Sequence, residues 1–167
     1  EFEIKKADVT VTAENNSKIY GDTDPELKVT VTGEKLSKIE YTVARDKGDD
    51  VGHYDITVTL TGNTSNYNIK QTQGDFEIKK AKATVTAENN SKIYGDKDPD
   101  FVVKVEGERK DSPITYTVAR TEGENVGKYP ITVTVTSDTQ NYDLTVTNAE
   151  FEIKKADVTV TAENNSK

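Results

Sequence analysis

The stretch FEIKKADVTVTAENNSK, residues 2–18, decides the fold because it recurs along the chain. It returns letter for letter at residues 151–167, and with only two letters changed at residues 76–92. Self-similarity at a fixed period, here about 75 residues, is typical of repeat architectures. The chain therefore holds two copies of one unit and the opening of a third, and we expect it to be cut from a longer array.

The similarity extends through each unit. The segment IYGDTDP at residues 19–25 returns as IYGDKDP at 93–99, YTVAR at 41–45 returns at 116–120, and VGHYDITVT at 51–59 returns as VGKYPITVT at 126–134. Copying a module supplies length, stiffness or avidity, whereas a reaction needs one well-placed site. The repetition therefore favours a structural role over an enzymatic one.

Alternation of apolar and polar residues predicts β-strands throughout. It is clearest at residues 9–13, 27–32, 39–43, 54–60, 67–69 and 76–78, where aliphatic or aromatic side chains alternate with Thr, Lys or Glu. Threonine suits such strands because its branched Cβ favours extended backbone. Clusters of Gly, Asn and Asp at 15–17, 21–25, 46–50 and 62–66 predict the turns between them. We expect an all-β fold of two tandem, small, β-sandwich-like domains with about six strands each.

The junction between the copies shows a change of phase. Phe76 and Ile78 are apolar at even positions, whereas Ala83 and Val85 are apolar at odd ones. The extended chain thus buries opposite sides before and after residues 79–80, which predicts that one domain closes there and the next opens. The absence of Gly, Ser and Pro predicts a stiff connection and an elongated rod. The predicted parts are 1–6, the closing strand of a preceding repeat; 7–80 and 81–155, the two repeat domains; and 156–167, the opening strand of a following repeat.

Composition limits the partners of the chain. Its net charge is -8, with a pI near 4.8, and this negative field disfavours nucleic acids and anionic lipid surfaces. It has no cysteine, so it has neither disulfides nor cysteine-based metal sites. No apolar run reaches the length of a membrane-spanning helix. We expect no nucleic-acid or membrane partner.

Candidate catalytic residues are few. His53 is the only histidine, and Lys128 occupies its place in the second copy. A single histidine at a polar strand start is expected to be a solvated side chain, and no nucleophile–base pair can be assembled around it. We therefore predict that the chain is not an enzyme and that it has no catalytic, cofactor-binding or metal-binding residues.

The acidic turns leave one alternative open. Asp22 and Asp24, and in the second copy Asp96, Asp98 and Asp100, could supply oxygen ligands to calcium. The favoured interpretation is that these carboxylates accept hydrogen bonds from backbone N–H groups and so stabilise a turn.

Two further alternatives concern side-chain burial. Tyr41 and Tyr54 share a strand face with aliphatic residues, so we expect the tyrosines to pack in the core rather than to form a sugar-stacking surface. An intramolecular isopeptide bond would need a lysine buried beside a carboxylate and an asparagine. Most lysines lie on polar strand faces or in turns, which argues against such a bond.

These motifs together resemble the MBG-type repeats of the YGX type, which occur in tandem in large bacterial cell-surface proteins, especially adhesins. The resemblance covers both full units. It rests on SKIYGDxDP, VARxxGxxVGxYxITV, an Asn-Tyr strand and a terminal FEIKK; the matching residues are Tyr20, Gly21, Asp22, Pro25, Gly48, Val51, Gly52, Tyr54, Asn66 and Tyr67, and in the second copy Tyr94, Gly95, Asp96, Pro99, Gly123, Val126, Gly127, Tyr129, Asn141 and Tyr142. The resemblance implies a mostly-β module of a surface stalk and carries over no catalytic residues.

Two functions fit a repeated module of this kind. The first is a stalk that projects a distal binding domain from the bacterial cell wall. Its expected partners are the neighbouring repeats of the same chain. The alternative is a binding module that recognises a host glycan or protein and gains avidity by repetition. We expect an extracellular monomer, and inward-facing aromatic residues would favour the stalk.

Overall fold

The structure is a computed structural model that describes residues 1–33, 36 and 39–164. These residues form fourteen β-strands and no α-helix, so the all-β prediction is confirmed. Each repeat contributes seven strands, one more than the alternation predicted. The described part of the chain contains no helix that could span a membrane.

The strands of the two repeats correspond one to one. The first repeat contains β1 (Ala7–Ala13), β2 (Asn16–Ile19), β3 (Val29–Gly33), β4 (Tyr41–Arg45), β5 (Gly52–Leu60), β6 (Tyr67–Thr72) and β7 (Gly74–Lys79). The second contains β8 (Ala81–Ala87), β9 (Asn90–Ile93), β10 (Val103–Glu106), β11 (Tyr116–Arg120), β12 (Gly127–Val135), β13 (Tyr142–Thr147) and β14 (Ala149–Lys154).

Each repeat has a three-stranded and a four-stranded sheet. In the first repeat the orders are β3-β1-β6 and β2-β7-β5-β4, and in the second they are β10-β8-β13 and β11-β12-β14-β9. Within the first repeat, β1 pairs with β6 and β2 pairs with β7 in parallel, whereas the other pairs are antiparallel. The same order in both repeats follows from their shared sequence pattern.

The predicted turn at residues 15–17 is wrong in part. Asn16 and Ser17 lie in β2, and only residues 14–15 separate β1 from β2. The parallel partners of β1 and β2 are β6 and β7, and only one residue separates those two strands. Both segments therefore cross from the three-stranded to the four-stranded sheet side by side. This pairing places residues 16–17 in a strand, where a turn was predicted. The Asn15 side chain supports the crossing by accepting a hydrogen bond from the Asp75 backbone N–H at 2.9 Å.

Both sheets contribute to one core in the first repeat. Val9 and Val11 of β1 lie in the same buried cluster as Ile56 of β5 and Phe76 and Ile78 of β7. Their counterparts in the second repeat are also buried, including Val85, Ile131, Phe151 and Ile153. Shared burial of two sheets is the arrangement that the β-sandwich prediction requires.

The change of phase at the junction is present in the structure. The even residues Phe76 and Ile78 are buried in β7, whereas the odd residues Ala81, Ala83 and Val85 are buried in β8. Only residue 80 separates the two strands. The chain divides into two compact units, Glu1–Ala81 with Gln140–Asp143, and Lys82–Thr139 with Leu144–Lys167.

The flanking segments are not in strands. Residues 1–6 and 155–164 form no strand, and Phe2, Ile4, Val158 and Val160 are exposed there. A strand needs a partner to satisfy its backbone groups, and the prediction placed those partners in neighbouring repeats. The predictions of a closing strand at 1–6 and an opening strand at 156–167 therefore stay predictions, and residues 165–167 lie outside the described residues.

Candidate functional site

Arg45 is the centre of a charged cluster in the first repeat. It ends β4 on the face shared with Val43, so the strand's alternation turns the arginine side chain inward, where only 11% of it is exposed. Its Nε and Nη2 donate to the two carboxylate oxygens of Asp24 at 2.5 and 3.2 Å. Asp24 lies two residues after the Tyr-Gly-Asp motif, so this pair fixes the acidic turn to the end of β4.

The remaining donors of Arg45 fix the loop that follows β4. Nη1 donates to the backbone oxygens of Asp46 and Gly48, both at 2.7 Å, and Nη2 donates to the Asp49 carboxylate at 3.4 Å. A guanidinium has five N–H donors in a rigid fork, and all five are used here. Arg45 therefore acts as a structural tie between the acidic turn and this loop.

Two aromatic rings cover the Arg45 guanidinium. Its central carbon lies 4.9 Å from the centroid of the Phe76 ring and 5.4 Å from that of the Tyr54 ring. A cation over an aromatic face is attracted by the negative face of the ring, so both rings stabilise the charged guanidinium. The Tyr54 hydroxyl in turn donates to the Asp50 backbone oxygen at 2.8 Å, which secures the same loop.

Lys18 supplies the second cation. It lies in β2 with only 7% of its side chain exposed, and its Nζ is 2.7 Å from Asp24 Oδ1 and 3.6 Å from Asp49 Oδ1. Two cations and two carboxylates thus balance within the cluster. Burial of a lysine is tolerated only when its charge is paired in this way.

The second repeat contains the same cluster with one change. Arg120 Nε and Nη2 donate to Asp98 at 2.5 and 3.1 Å, and Nη1 donates to the Thr121 and Gly123 backbone oxygens at 2.8 Å. Glu124 stands where Asp49 stands in the first repeat and accepts from Arg120 at 2.7 Å. The rings of Phe151 and Tyr129 cover Arg120 at 5.0 and 5.4 Å.

Lys92 completes the second cluster. Its side chain is 4% exposed, and its Nζ lies 2.8 Å from Asp98 and 2.5 Å from Glu124. We call these four charged residues of each repeat the arginine cluster. They are Lys18, Asp24, Arg45 and Asp49 in the first repeat and Lys92, Asp98, Arg120 and Glu124 in the second.

Hydrogen bonds within the arginine cluster shift the pKa values of several members toward their charged forms. Hydrogen bonds from Arg45 and Lys18 lower the pKa of Asp24 to about 2, and those from Arg120 and Lys92 lower the pKa of Asp98 to about 2. The carboxylates in turn raise the pKa of Arg45, Arg120 and Lys92, in each case chiefly through the hydrogen bond to the aspartate. Amide formation would need an uncharged amine and a protonated carboxyl, and this environment opposes both.

The buried lysines correct one sequence-based argument. Most lysines were expected on polar strand faces or in turns, yet Lys18 and Lys92 are buried beside carboxylates. They face inward because they lie in the same strand phase as Asn16 and Asn90, whereas the residues that follow them, Ile19 and Ile93, are exposed. The pairing that results is an ion pair, which the charged states of the partners stabilise.

The acidic turns also differ from the expected arrangement. Asp24 and Asp98 bind the side chains of arginine and lysine, and this corrects the prediction that they accept from backbone N–H groups. The turn itself is closed by backbone groups, since the N–H groups of Asp22 and Asp96 donate to the oxygens of residues 19 and 93 at 3.0 Å. For calcium, no group of three or more His, Asp or Glu residues gathers within residues 1–33, 36 and 39–164.

His53 lies on an exposed face of β5, as expected. Its Nδ1 is 2.9 Å from the Asp75 carboxylate, which raises the pKa of His53 through a hydrogen bond. In the second repeat, Lys128 and Glu150 form the corresponding pair at 2.6 Å. The exchange of both partners indicates that a cross-strand ion pair, rather than histidine chemistry, is retained here.

The tyrosines are less uniformly buried than predicted. Tyr54 and Tyr67 pack against the core, but Tyr41 is 39% and Tyr94 54% exposed. Tyr41 begins the edge strand β4 and therefore lacks a neighbouring strand on one side. The prediction of core packing is wrong for these two residues.

The arginines and lysines of the cluster were the residues that sequence reasoning missed. Each arginine lies two residues after a valine, Val43 or Val118, and so falls at a position where the alternation places an apolar residue. The two arginines occupy the same position in the two copies. A charged residue in an inward phase must find buried partners. The acidic turn and the acidic residue four positions after each arginine are the repeated sources of such partners.

Comparison with known families finds a match in both repeats. The model of the MBG domain (YGX type) matches residues 9–77 and again residues 83–152. The chain belongs to this family. The matches lie within the predicted domains 7–80 and 81–155. No curated protein matches the chain.

The Tyr-Gly-Asp turn of this family lies beside the arginine cluster in this chain. In both MBG domains the Tyr-Gly-Asp turn is followed by the aspartate that binds the arginine, Asp24 in the first domain and Asp98 in the second. Gly21 and Gly95 adopt φ values of 79° and 94°, which side chains with a Cβ rarely adopt. The turn thus positions one carboxylate against the core of its own domain.

Proposed function

We propose that these tandem MBG domains are stalk repeats of a bacterial surface adhesin, with a spacing role and no catalytic one. The observation that carries this proposal is the arginine cluster, whose charges are satisfied inside each domain and recur in both. Polar side chains of this kind stabilise the module and leave little chemistry to offer a substrate. Extracellular display from a cell wall is part of the same proposal.

The junction supports a spacing role. Only residue 80 separates β7 from β8, and no Gly- or Ser-rich linker intervenes. The absence of cysteine places stability on packing and on the charged cluster. Such a module holds its fold without a disulfide, which suits repetition in a long array.

Small-angle X-ray scattering tests the spacing role. If the chain is a stiff stalk, the scattering should give one well-defined maximum interatomic distance. Added glycans should not change that distance. A compact or widely bending particle contradicts it. The matched control is a variant with Gly-Ser-Gly-Ser inserted after residue 80, which should broaden the distribution if the junction is stiff.

The alternative is a binding module for a host glycan or protein. The exposure of Tyr41 and Tyr94 favours it, because aromatic faces stack on sugar rings and these two were expected to be buried. A glycan array with the full chain tests this function. Binding that is lost in both Tyr41→Ala and Tyr94→Ala, with unchanged thermal unfolding, would replace the stalk proposal.

A further inference from the structure

The first compact unit contains an asparagine–tyrosine pair held on a defined surface. The unit comprises Glu1–Ala81 and Gln140–Asp143, and within it Asn141 and Tyr142 are 8% and 3% exposed. The Asn141 carboxamide accepts from the Val51 N–H at 2.8 Å and donates to the Asp50 carboxylate at 2.8 Å. A single asparagine side chain thus uses both its acceptor and its donor on two adjacent residues.

An aromatic contact accompanies these hydrogen bonds. The ring of Tyr142 meets that of Tyr20 edge to face, with centroids 5.7 Å apart. Edge-to-face pairs of this kind add to the burial of the rings. Tyr20, Asp50 and Val51 are called the receiving surface of the first repeat, and what they bind is an Asn–Tyr pair.

The second repeat has the same receiving surface in exposed form. Its residues are Tyr94, Asn125 and Val126, of which Tyr94 is 54% and Val126 47% exposed. The Tyr129 hydroxyl donates to the Asn125 backbone oxygen at 2.7 Å, as the Tyr54 hydroxyl does to Asp50. The loop is therefore held in the same way, and the Asn125 side chain can accept a hydrogen bond where the Asp50 carboxylate does.

The first repeat also presents an Asn–Tyr pair of its own. Asn66 is exposed immediately before β6, and Tyr67 begins that strand. The backbone oxygen of Asn66 accepts from the Ala7 N–H at 3.0 Å, just as that of Asn141 accepts from the Ala81 N–H at 3.1 Å. The two Asn–Tyr pairs therefore share their local backbone setting.

We propose that the receiving surface of the second repeat, Tyr94, Asn125 and Val126, binds the Asn66–Tyr67 pair of a second copy of this chain. The two surfaces are different, so the contact is head to tail and can continue from copy to copy. The contact surface is small, and the association is correspondingly weak, with a Kd of about 1 mM. At micromolar concentration the chain remains a monomer.

Dilution series of the full chain, followed by amide NMR and sedimentation velocity up to about 2 mM, test the contact. We expect concentration-dependent shifts at Tyr94, Val126, Asn66 and Tyr67. Asn66→Ala and Tyr94→Ala should each weaken association at least about tenfold. Tyr41→Ala removes another exposed tyrosine, lies outside both surfaces and should leave association unchanged.

Mixing the two impaired variants separates a head-to-tail contact from a symmetric one. The Tyr94→Ala chain keeps its Asn–Tyr pair, and the Asn66→Ala chain keeps its receiving surface. Their mixture should form dimers that neither variant forms alone, and it should stop at the dimer. Absence of association by the parent chain, shifts confined to other residues, or a mixture that stays monomeric would each overturn the proposal. The outcome does not depend on whether the chain serves as a stalk.

Discussion

Arg45 and Asp24 lie 21 residues apart in the sequence and meet in a two-point ion pair, with Nε–Oδ2 and Nη2–Oδ1 distances of 2.5 and 3.2 Å. The pair joins the acidic turn to the end of β4 beneath the Phe76 and Tyr54 rings. Arg120 and Asp98 form the same pair in the second repeat. The contact is therefore part of the module rather than an accident of one copy.

Replacement of this arginine by lysine should destabilise its repeat although the charge is kept. Lysine offers a point charge and cannot reach the Asp24 carboxylate and the Asp46 and Gly48 oxygens together. We expect Arg45→Lys to cost about 1–3 kcal/mol. Amide hydrogen exchange measured at Ile56 and Ile131 reports the two repeats separately, and only protection at Ile56 should fall.

The matched control for this change is Lys70→Arg, on an exposed position of β6. It should leave exchange at both isoleucines within error. Equal protection in the parent and in Arg45→Lys would mean that the five hydrogen bonds of Arg45 contribute nothing to the fold.

Acid should weaken both repeats as Asp24 and Asp98 become protonated. Their pKa values are lowered from 3.8 to about 2 in the folded state. A carboxyl with a lowered folded pKa contributes stability that is present above its unfolded pKa and is lost as the pH falls through the folded one. Urea unfolding midpoints should therefore decline between about pH 4 and pH 2.

The double variant Asp24→Asn, Asp98→Asn is the control for this acid effect. It should be less stable at neutral pH and should show a flatter decline in acid, because it lacks both titrating groups. A decline as steep as that of the parent chain would assign the acid sensitivity to other carboxylates.

The sequence predicted the strands well because their signal is local. Val9 and Val11, or Ile56 and Val58, alternate with polar residues, and each is buried as expected. The roles of Lys18 and Arg45 were missed because alternation predicts which sheet face a side chain lies on but not which residues it contacts. Asp24 precedes Arg45 by 21 residues, and Asp49 follows Lys18 in a loop two strands later, so only the packed fold brings all four charges together. The same limit applies to Tyr41, whose exposure depends on the position of β4 at the sheet edge.

The buried lysines should remain free amines. Lys92 lies 2.8 Å from Asp98 and 2.5 Å from Glu124, a geometry that would permit amide formation if the groups were neutral. The pKa of Lys92 is raised and that of Asp98 is lowered, so the pair stays ionic. The intact mass should equal that of the sequence. A mass lower by one water, or by one ammonia if an asparagine reacts, would show an isopeptide bond.

The glycine of the Tyr-Gly-Asp turn should resist substitution because of its backbone conformation. Gly95 has a φ of 94°, and a Cβ added there would meet nothing within 4 Å. Strain, and not a clash, then sets the cost, so Gly95→Val should destabilise the second repeat by about 1–3 kcal/mol. Gly21 has a φ of 79°, and Gly21→Val should have a similar effect on the first repeat.

Gly95→Asn is the matched control, since asparagine tolerates positive φ and should cost less than valine. Thermal unfolding that is equal for the valine and asparagine variants would contradict the strain argument, and loss of glycan binding with unchanged unfolding would identify the turn as a binding site.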